Sequence, residues 1–282
     1  MKLIRRFIAD PNALLSMDGR VPMVGAFEVK MTKFTQWCTE TESGISTHKL
    51  HQLTASEVKI PDAVTLVASA VPEYYAAPSR ISELLMRLGK PAAAAYVAGK
   101  LPTLKTIKSG DLGEILCNAY IFESTRFTLG IRRLRWKDHR DMSMRGEDVL
   151  AFNIDPKGVL SVLKAEVKSR ASMTTAVIEE ARAALSYNNE LPSPHAVSFV
   201  ADRLDEAADA ALRDALDKAQ LLDGIRISQV SHMLFTFSGS NPSKLLTTNL
   251  TSYSGGVQQY YVTLRVEKHQ DFIKSVFEAV IK

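Results

Sequence analysis

The chain has 282 residues, of which 46% are hydrophobic and 23% charged, with a formal net charge of +4. That composition belongs to a folded globular protein with enough apolar mass for a core, and it excludes a disordered or low-complexity chain. A net charge this small permits nucleic-acid binding without requiring it, so the placement of the basic residues decides.

At the start of the chain, Lys2, Arg5 and Arg6 precede Asp10 and Pro11, and no apolar signal region follows. Residues 24–31 alternate as a strand does, whereas residues 43–53 are polar with no defined pattern. His48 and His51 are spaced for one face of a helix and for a metal, but no third ligand is near. The cysteines, Cys38 and Cys117, form neither a disulfide framework nor a C-x-x-C zinc pair and suit reduced thiols. Residues 79–89 carry apolar positions at helical spacing with Gly89 as a stop, and Pro91 opens an alanine-rich helix closed by Gly99. That run, residues 91–99, is the most apolar in the chain and falls short of membrane-spanning length. The expectation is a cytoplasmic protein with an N-terminal mixed strand and helix subdomain over residues 1–105 and a second domain over 106–282.

The second domain is expected to begin with a helix near Asp111, with Leu112, Ile115, Leu116, Ala119 and Tyr120 on its buried face. Glu114 lies beside that face and has two readings. Asp111-x-x-Glu114 fits a capping box, in which Glu114 only reaches back to a backbone N–H; alternatively its carboxylate is delivered to a site. Residues 126–145 form the most basic window, with Arg126, Arg132, Arg133, Arg135, Lys137, Arg140 and Arg145 against Asp138 and Asp141. Leu134 and Trp136 alternate with Arg133, Arg135 and Lys137, which predicts a strand with one wet face. It is either a charged sheet edge or a stripe that contacts phosphates. The candidate nucleic-acid contacts are Arg132, Arg133, Arg135, Lys137 and, further on, Arg170.

Residues 149–152 and 159–167 flank Asp155-Pro156-Lys157-Gly158, which is turn chemistry and predicts an antiparallel hairpin. A turn centred there pairs residues whose numbers sum to about 313 or 314, so Asp148 falls opposite Ala165 or Glu166. Alternation then places Glu166 and Lys168 on one face of the strand and Ala165 and Val167 on the other. Two carboxylates and an ammonium meet at one strand end. Such a pair suits a hard divalent cation, Mg²⁺ or in its place Mn²⁺, which can activate a water against a phosphodiester. In that reading Asp148, Glu166 and Glu114 hold the metal, and Lys168 orients the water or steadies developing charge. The plain alternative is an exposed Glu166–Lys168 salt bridge.

Residues 173–187 read as a helix capped from residues 169–172, with Glu179 and Glu180 solvated. A long acidic, alanine-rich helix is expected from about Ala201, carrying Asp202, Asp205, Glu206, Asp209, Asp214 and Asp217. Residues 231–239 and 260–266 read as strands, and residues 271–281 as a helix that packs Phe272, Val276, Phe277 and Val280 into the core. Ser254-Gly255-Gly256 lacks the lysine of a phosphate-binding loop, and no G-x-S-x-G or H-E-x-x-H occurs.

The joined set Glu114, Asp148 and Glu166-x-Lys168 resembles the PD-(D/E)xK nuclease superfamily over residues 109–240, although Glu147 stands where the superfamily's name has proline. The segments Gly110-Asp111-Leu112-Gly113-Glu114-Ile115-Leu116, Glu147-Asp148-Val149-Leu150-Ala151-Phe152 and Lys164-Ala165-Glu166-Val167-Lys168-Ser169 resemble the HamA family of Hachiman anti-phage defence. The resemblance implies an α/β fold with a restriction-endonuclease-like core, a mixed sheet flanked by helices. It also implies a Mg²⁺-dependent deoxyribonuclease that acts on double-stranded DNA beside a superfamily-2 helicase subunit, HamB. By the same resemblance Glu114, Asp148, Glu166 and Lys168 take the catalytic positions. The competing expectation is a catalytically silent module of the same fold that binds DNA or the helicase.

Overall fold

The computed structural model describes residues 32–45 and 47–281; the strand expected at residues 24–31 lies outside them. Among the described residues, seven strands form one sheet: β1 (Cys38–Ile45), β2 (His48–Ala55), β3 (Thr128–Leu129), β4 (Val149–Ile154), β5 (Leu160–Arg170), β6 (Val230–Ser238) and β7 (Gln258–Arg265). Their order is β1-β2-β7-β6-β5-β4-β3. The four central strands β2, β7, β6 and β5 run parallel, and the β1–β2, β5–β4 and β4–β3 pairs are antiparallel. Parallel strands covered on both faces read as continuous apolar runs, as Met233, Leu234, Phe235 and Phe237 do in β6.

The helices of eight residues or more among the described residues are α1 (Ile60–Tyr75), α2 (Pro78–Lys100), α3 (Lys105–Ser124), α4 (Thr175–Ser186), α5 (Pro194–Ala201), α6 (Ala210–Lys218), α7 (Ser243–Ser252) and α8 (His269–Ile281). One face of the sheet presents Ala165, Val167, Met233 and Phe235 to Leu112, Ile115 and Leu116 of α3, Val67 and Val71 of α1, and Phe272 and Val276 of α8. The other face packs Leu150, Phe152 and Val162 against Val197 and Val200 of α5, and Leu234 and Tyr261 against Ile178 and Ala181 of α4 and Leu246 of α7. The final helix therefore packs into the core as its stripe predicts. Phe34, Trp37 and Leu53 belong to the same core as Val262 and Phe277, so both sheet and core run across residues 105 and 106. Helix α2 breaks at Gly89, whose φ of 79° is the left-handed turn that separates the two helices read from the sequence.

Several expected elements differ. Of the indeterminate residues, 43–45 belong to β1 and 48–53 to β2, paired antiparallel, and the polar β1 lies at the sheet edge. His48 and His51 therefore sit on a strand, where residues three apart point to opposite faces, so they do not share a metal. Helix α3 begins at Lys105, ahead of Asp111, and Asp141 caps its start by accepting from the Thr103 and Leu104 amides at 2.5 and 3.0 Å. The basic alternation is a turn of 3-10 helix (Arg133–Trp136) with Leu134 buried, because its cations reach partners on different elements. The acidic helix expected from about Ala201 is turns over residues 202–209 and then the short α6, since the Asp205 side chain takes the Ala207 and Ala208 amides and stops a helix from forming there. Helix α4 is capped by Thr174, which accepts from the Val177 amide, while residues 169 and 170 still belong to β5.

Helix α3 reaches β5 at Gly113. A Cβ there would lie 3.0 Å from Val167 Cγ1 and 3.2 Å from Ser169 Cβ. The Ser109 and Ser169 hydroxyls, 2.8 Å apart, fasten the same contact one turn earlier. Gly113→Leu is expected to lower stability by about 1–3 kcal/mol, read as a fall in Tm, because a packed interior resists added carbon. An unchanged Tm would show that the helix has room to spare.

Candidate active site

The β4–β5 hairpin sets the site. Asp155 closes its turn by accepting from the Lys157 and Val159 amides at 2.8 and 2.9 Å, and Gly158 takes a φ of 78°. Val149 pairs with Ala165 and Leu150 with Lys164, so Asp148, one residue before β4, stands opposite Glu166. Asp148 Oδ2 accepts from the Val167 amide at 2.8 Å, which anchors the loop residue to the neighbouring strand. Glu166 and Lys168 project together from β5, with Lys168 Nζ 3.0 Å from Glu166 Oε1. The same ammonium is 2.7 Å from Glu180 Oε1 on α4.

Glu114 approaches from the α3 side of the sheet. It lies in the helix interior, which removes the capping-box reading. Arg133 Nε donates to Glu114 Oε2 at 3.0 Å, and Arg133 Nη2 lies 3.6 Å from Asp148 Oδ1. One guanidinium thus joins the helix acid to the strand acid. Arg133 also donates to the Glu147 carbonyl. The Glu147 carboxylate accepts from the Ser193 amide and hydroxyl at 2.6 and 2.9 Å, so the residue in the proline position ties the start of β4 to the start of α5.

Electrostatically the three acids are strained. Burial pushes the Glu114 carboxyl up to about 8, with Arg133 opposing and Asp148 adding to the rise. Burial raises Asp148 as well, against the pull of Arg133, the Val167 amide and Lys168. Glu166 is pushed up to about 7, by burial first and by Asp148 next. For Lys168, burial works downward, but Glu180 and Glu166 together hold the ammonium above its ordinary value. Asp148 is the common neighbour of both other acids.

An all-carboxylate donor set has the chemistry a hard divalent cation takes. Among the described residues, however, no group of three or more His, Cys, Asp or Glu side chains is arranged to hold a metal ion. Arg133 stands between Glu114 and Asp148, and a bridging cation has to displace it. The donors fit Mg²⁺ in kind, with Arg133 as the competitor.

The other expected basic contacts are turned inward. Arg132 lies 3.7 Å from Glu73 and 5.1 Å above the Tyr74 ring, and Arg135 Nε donates to the Glu73 carbonyl at 2.9 Å. Lys137 Nζ lies 2.7 Å from Asp111 Oδ2, which also accepts from Tyr75 at 2.7 Å; both charged side chains are 5% exposed. These residues do not form an exposed stripe. Arg170 is exposed. The role of Arg133 was hidden in the basic window, although a buried helix acid needs a nearby counter-charge. Glu180, read as merely solvated, holds Lys168, and nothing in the sequence links the two.

The model of the HamA family matches residues 30–280. The chain belongs to the HamA family. Hachiman protein HamA of Bacillus cereus is 25% identical over 263 residues, covering 91% of this chain and 93% of that protein. The family match spans all four residues Glu114, Asp148, Glu166 and Lys168. Among the described residues no helix is long and apolar enough to cross a membrane.

The raised Glu114 carboxyl gives a pH prediction. Its folded value of about 8 exceeds the ordinary 4.5, so the folded state binds the proton more tightly. The associated stability is complete below about 4.5 and is lost as pH rises through about 8. In EDTA, Glu114→Gln should therefore melt with wild type at pH 4 and above wild type at pH 8.5. Equal Tm differences at both pH values would show that Glu114 is ionised without strain.

Proposed function

We propose that this protein is a metal-dependent DNA endonuclease of the PD-(D/E)xK kind, the nuclease subunit of an anti-phage defence system that works with a superfamily-2 helicase in the cytoplasm. The observation that carries the reading is Asp148 standing opposite Glu166, with Lys168 beside Glu166 on the strand. Membership of the HamA family and a relative named Hachiman protein HamA support the defence role and a HamB-like helicase partner.

Asp148 and Glu166, with Glu114 behind them, would hold Mg²⁺ or Mn²⁺, which supplies Lewis acidity and a water of lowered pKa. The chain does the rest. The Val167 amide takes Asp148 Oδ2 and leaves Oδ1, which Arg133 now faces, as the oxygen a cation would bind. Lys168, kept charged by Glu166 and Glu180, presents a proton-bearing ammonium where negative charge develops on a phosphate oxygen. Arg170, exposed at the end of the same strand, would neutralise the backbone of double-stranded DNA.

One observation favours a second reading, a silent module that binds DNA or the helicase: Arg133 already neutralises part of the acid cluster. The experiment separates the two. Purified protein, alone and with its helicase, is incubated with plasmid DNA and Mg²⁺ or Mn²⁺. Cleavage should appear and fall by about a hundredfold or more in Glu166→Ala and in Lys168→Ala. Unchanged cleavage in both variants would overturn the site, and DNA binding without cleavage in either mixture would favour the silent module.

A further inference from the structure

A cleft of about 530 Å³ opens beside Asp148, between the residues around the 3-10 turn and helix α5. We propose that it receives one unstacked nucleobase of the strand presented to Asp148, which makes the substrate a DNA strand carrying an unpaired nucleotide. The proposal deepens the nuclease reading and rests on it for what brings DNA to the cleft.

The size suits a small planar ligand. Two of its lining residues are aromatic: Trp136 and Phe199 meet edge to face, with centroids 6.4 Å apart and planes at 83°. The Arg203 guanidinium lies 3.6 Å from the Phe199 centroid and 5.8 Å from that of Trp136. An indole and a guanidinium resting on a phenyl ring are surfaces on which unpaired bases stack.

The cleft also holds buried polar atoms without partners. Asn118, one helical turn beyond Glu114, is 3% exposed and lines the cleft, and among the described residues its amide oxygen accepts no hydrogen bond. Arg203 Nη1 donates to the Phe199 carbonyl at 3.1 Å, whereas its Nε is buried with no acceptor among the described residues. A buried acceptor and a buried donor left unpaired are costly in a native fold unless a ligand completes them. The edge of a nucleobase offers both a donor and an acceptor. Exposed Arg145 and His195 line the same cleft, where the flanking phosphates would lie. A paired base hides both faces in the stack, so only an unpaired or extruded one can enter.

The test needs no cleavage. The chain has two tryptophans, of which Trp37 is 1% exposed, so fluorescence quenching by a ligand reports on Trp136. The full chain in EDTA is titrated with a single-stranded hexanucleotide, with an abasic strand of the same phosphate count, and with the hexanucleotide paired in a duplex. The base-bearing single strand should bind about tenfold or more tightly than the other two. Phe199→Leu, which keeps apolar bulk and loses the ring, should erase that preference without a change in Tm. Equal binding of the base-bearing and abasic strands, no binding of either, or a preference that survives in Phe199→Leu would each overturn the pocket. Cutting with Mg²⁺ but without base preference would overturn the pocket and leave the nuclease reading standing. Base preference in a chain that cuts nothing would do the reverse.

Discussion

The hydrogen bond from the Val167 amide to Asp148 Oδ2, 2.8 Å long, joins the two halves of the site. Asp148 precedes β4 and would otherwise follow a loop. Held there, it stands opposite Glu166 and within reach of the Arg133 guanidinium that grips Glu114. The hairpin turn sets the register, the register sets the bond, and the bond fixes Asp148 opposite Glu166 and beside Arg133. The glycine contact at Gly113 does the same for the helix, because a side chain there would lift Glu114 away from the sheet.

Charge balance explains the surroundings of those acids. Burial penalises each carboxylate, so the fold supplies Arg133 to Glu114 and Asp148, and Lys168 to Glu166. Glu180 then holds Lys168, and the Glu147 carbonyl holds Arg133. Both cations are themselves positioned by acceptors on other elements, so α3, the basic segment, β5 and α4 form one electrostatic unit around Asp148. Asp111 with Lys137 and Tyr75 repeats the pattern one turn before Glu114, as a closed structural network.

The sequence was informative where the physics is local. Turn residues 155–158 gave the hairpin and a register within one residue, and period-two alternation correctly separated Glu166 and Lys168 from Ala165 and Val167. Gly89 marked a helix break through its need for positive φ. Alternation failed at Arg133–Trp136, because long cations with buried partners on distant elements bend the chain into a 3-10 turn. The acidic stretch failed for a related reason, since Asp205 captures its own downstream amides. Glu114 could not be settled from spacing alone. Only the position of the helix start, fixed by the distant Asp141, separates a cap from a buried acid paired with Arg133. The pairing of Lys168 with Glu180 is tertiary and left no local pattern.

In the proposed function Asp148, Glu166 and Glu114 would hold one cation against the competition of Arg133. Calorimetric titration of the full chain with Mn²⁺ tests it most directly. The account predicts a saturable site in the micromolar-to-millimolar range that is lost in Asp148→Asn and tightened in Arg133→Gln. Absence of Mn²⁺ binding in wild type and in Arg133→Gln alike, with the fold intact, would contradict it.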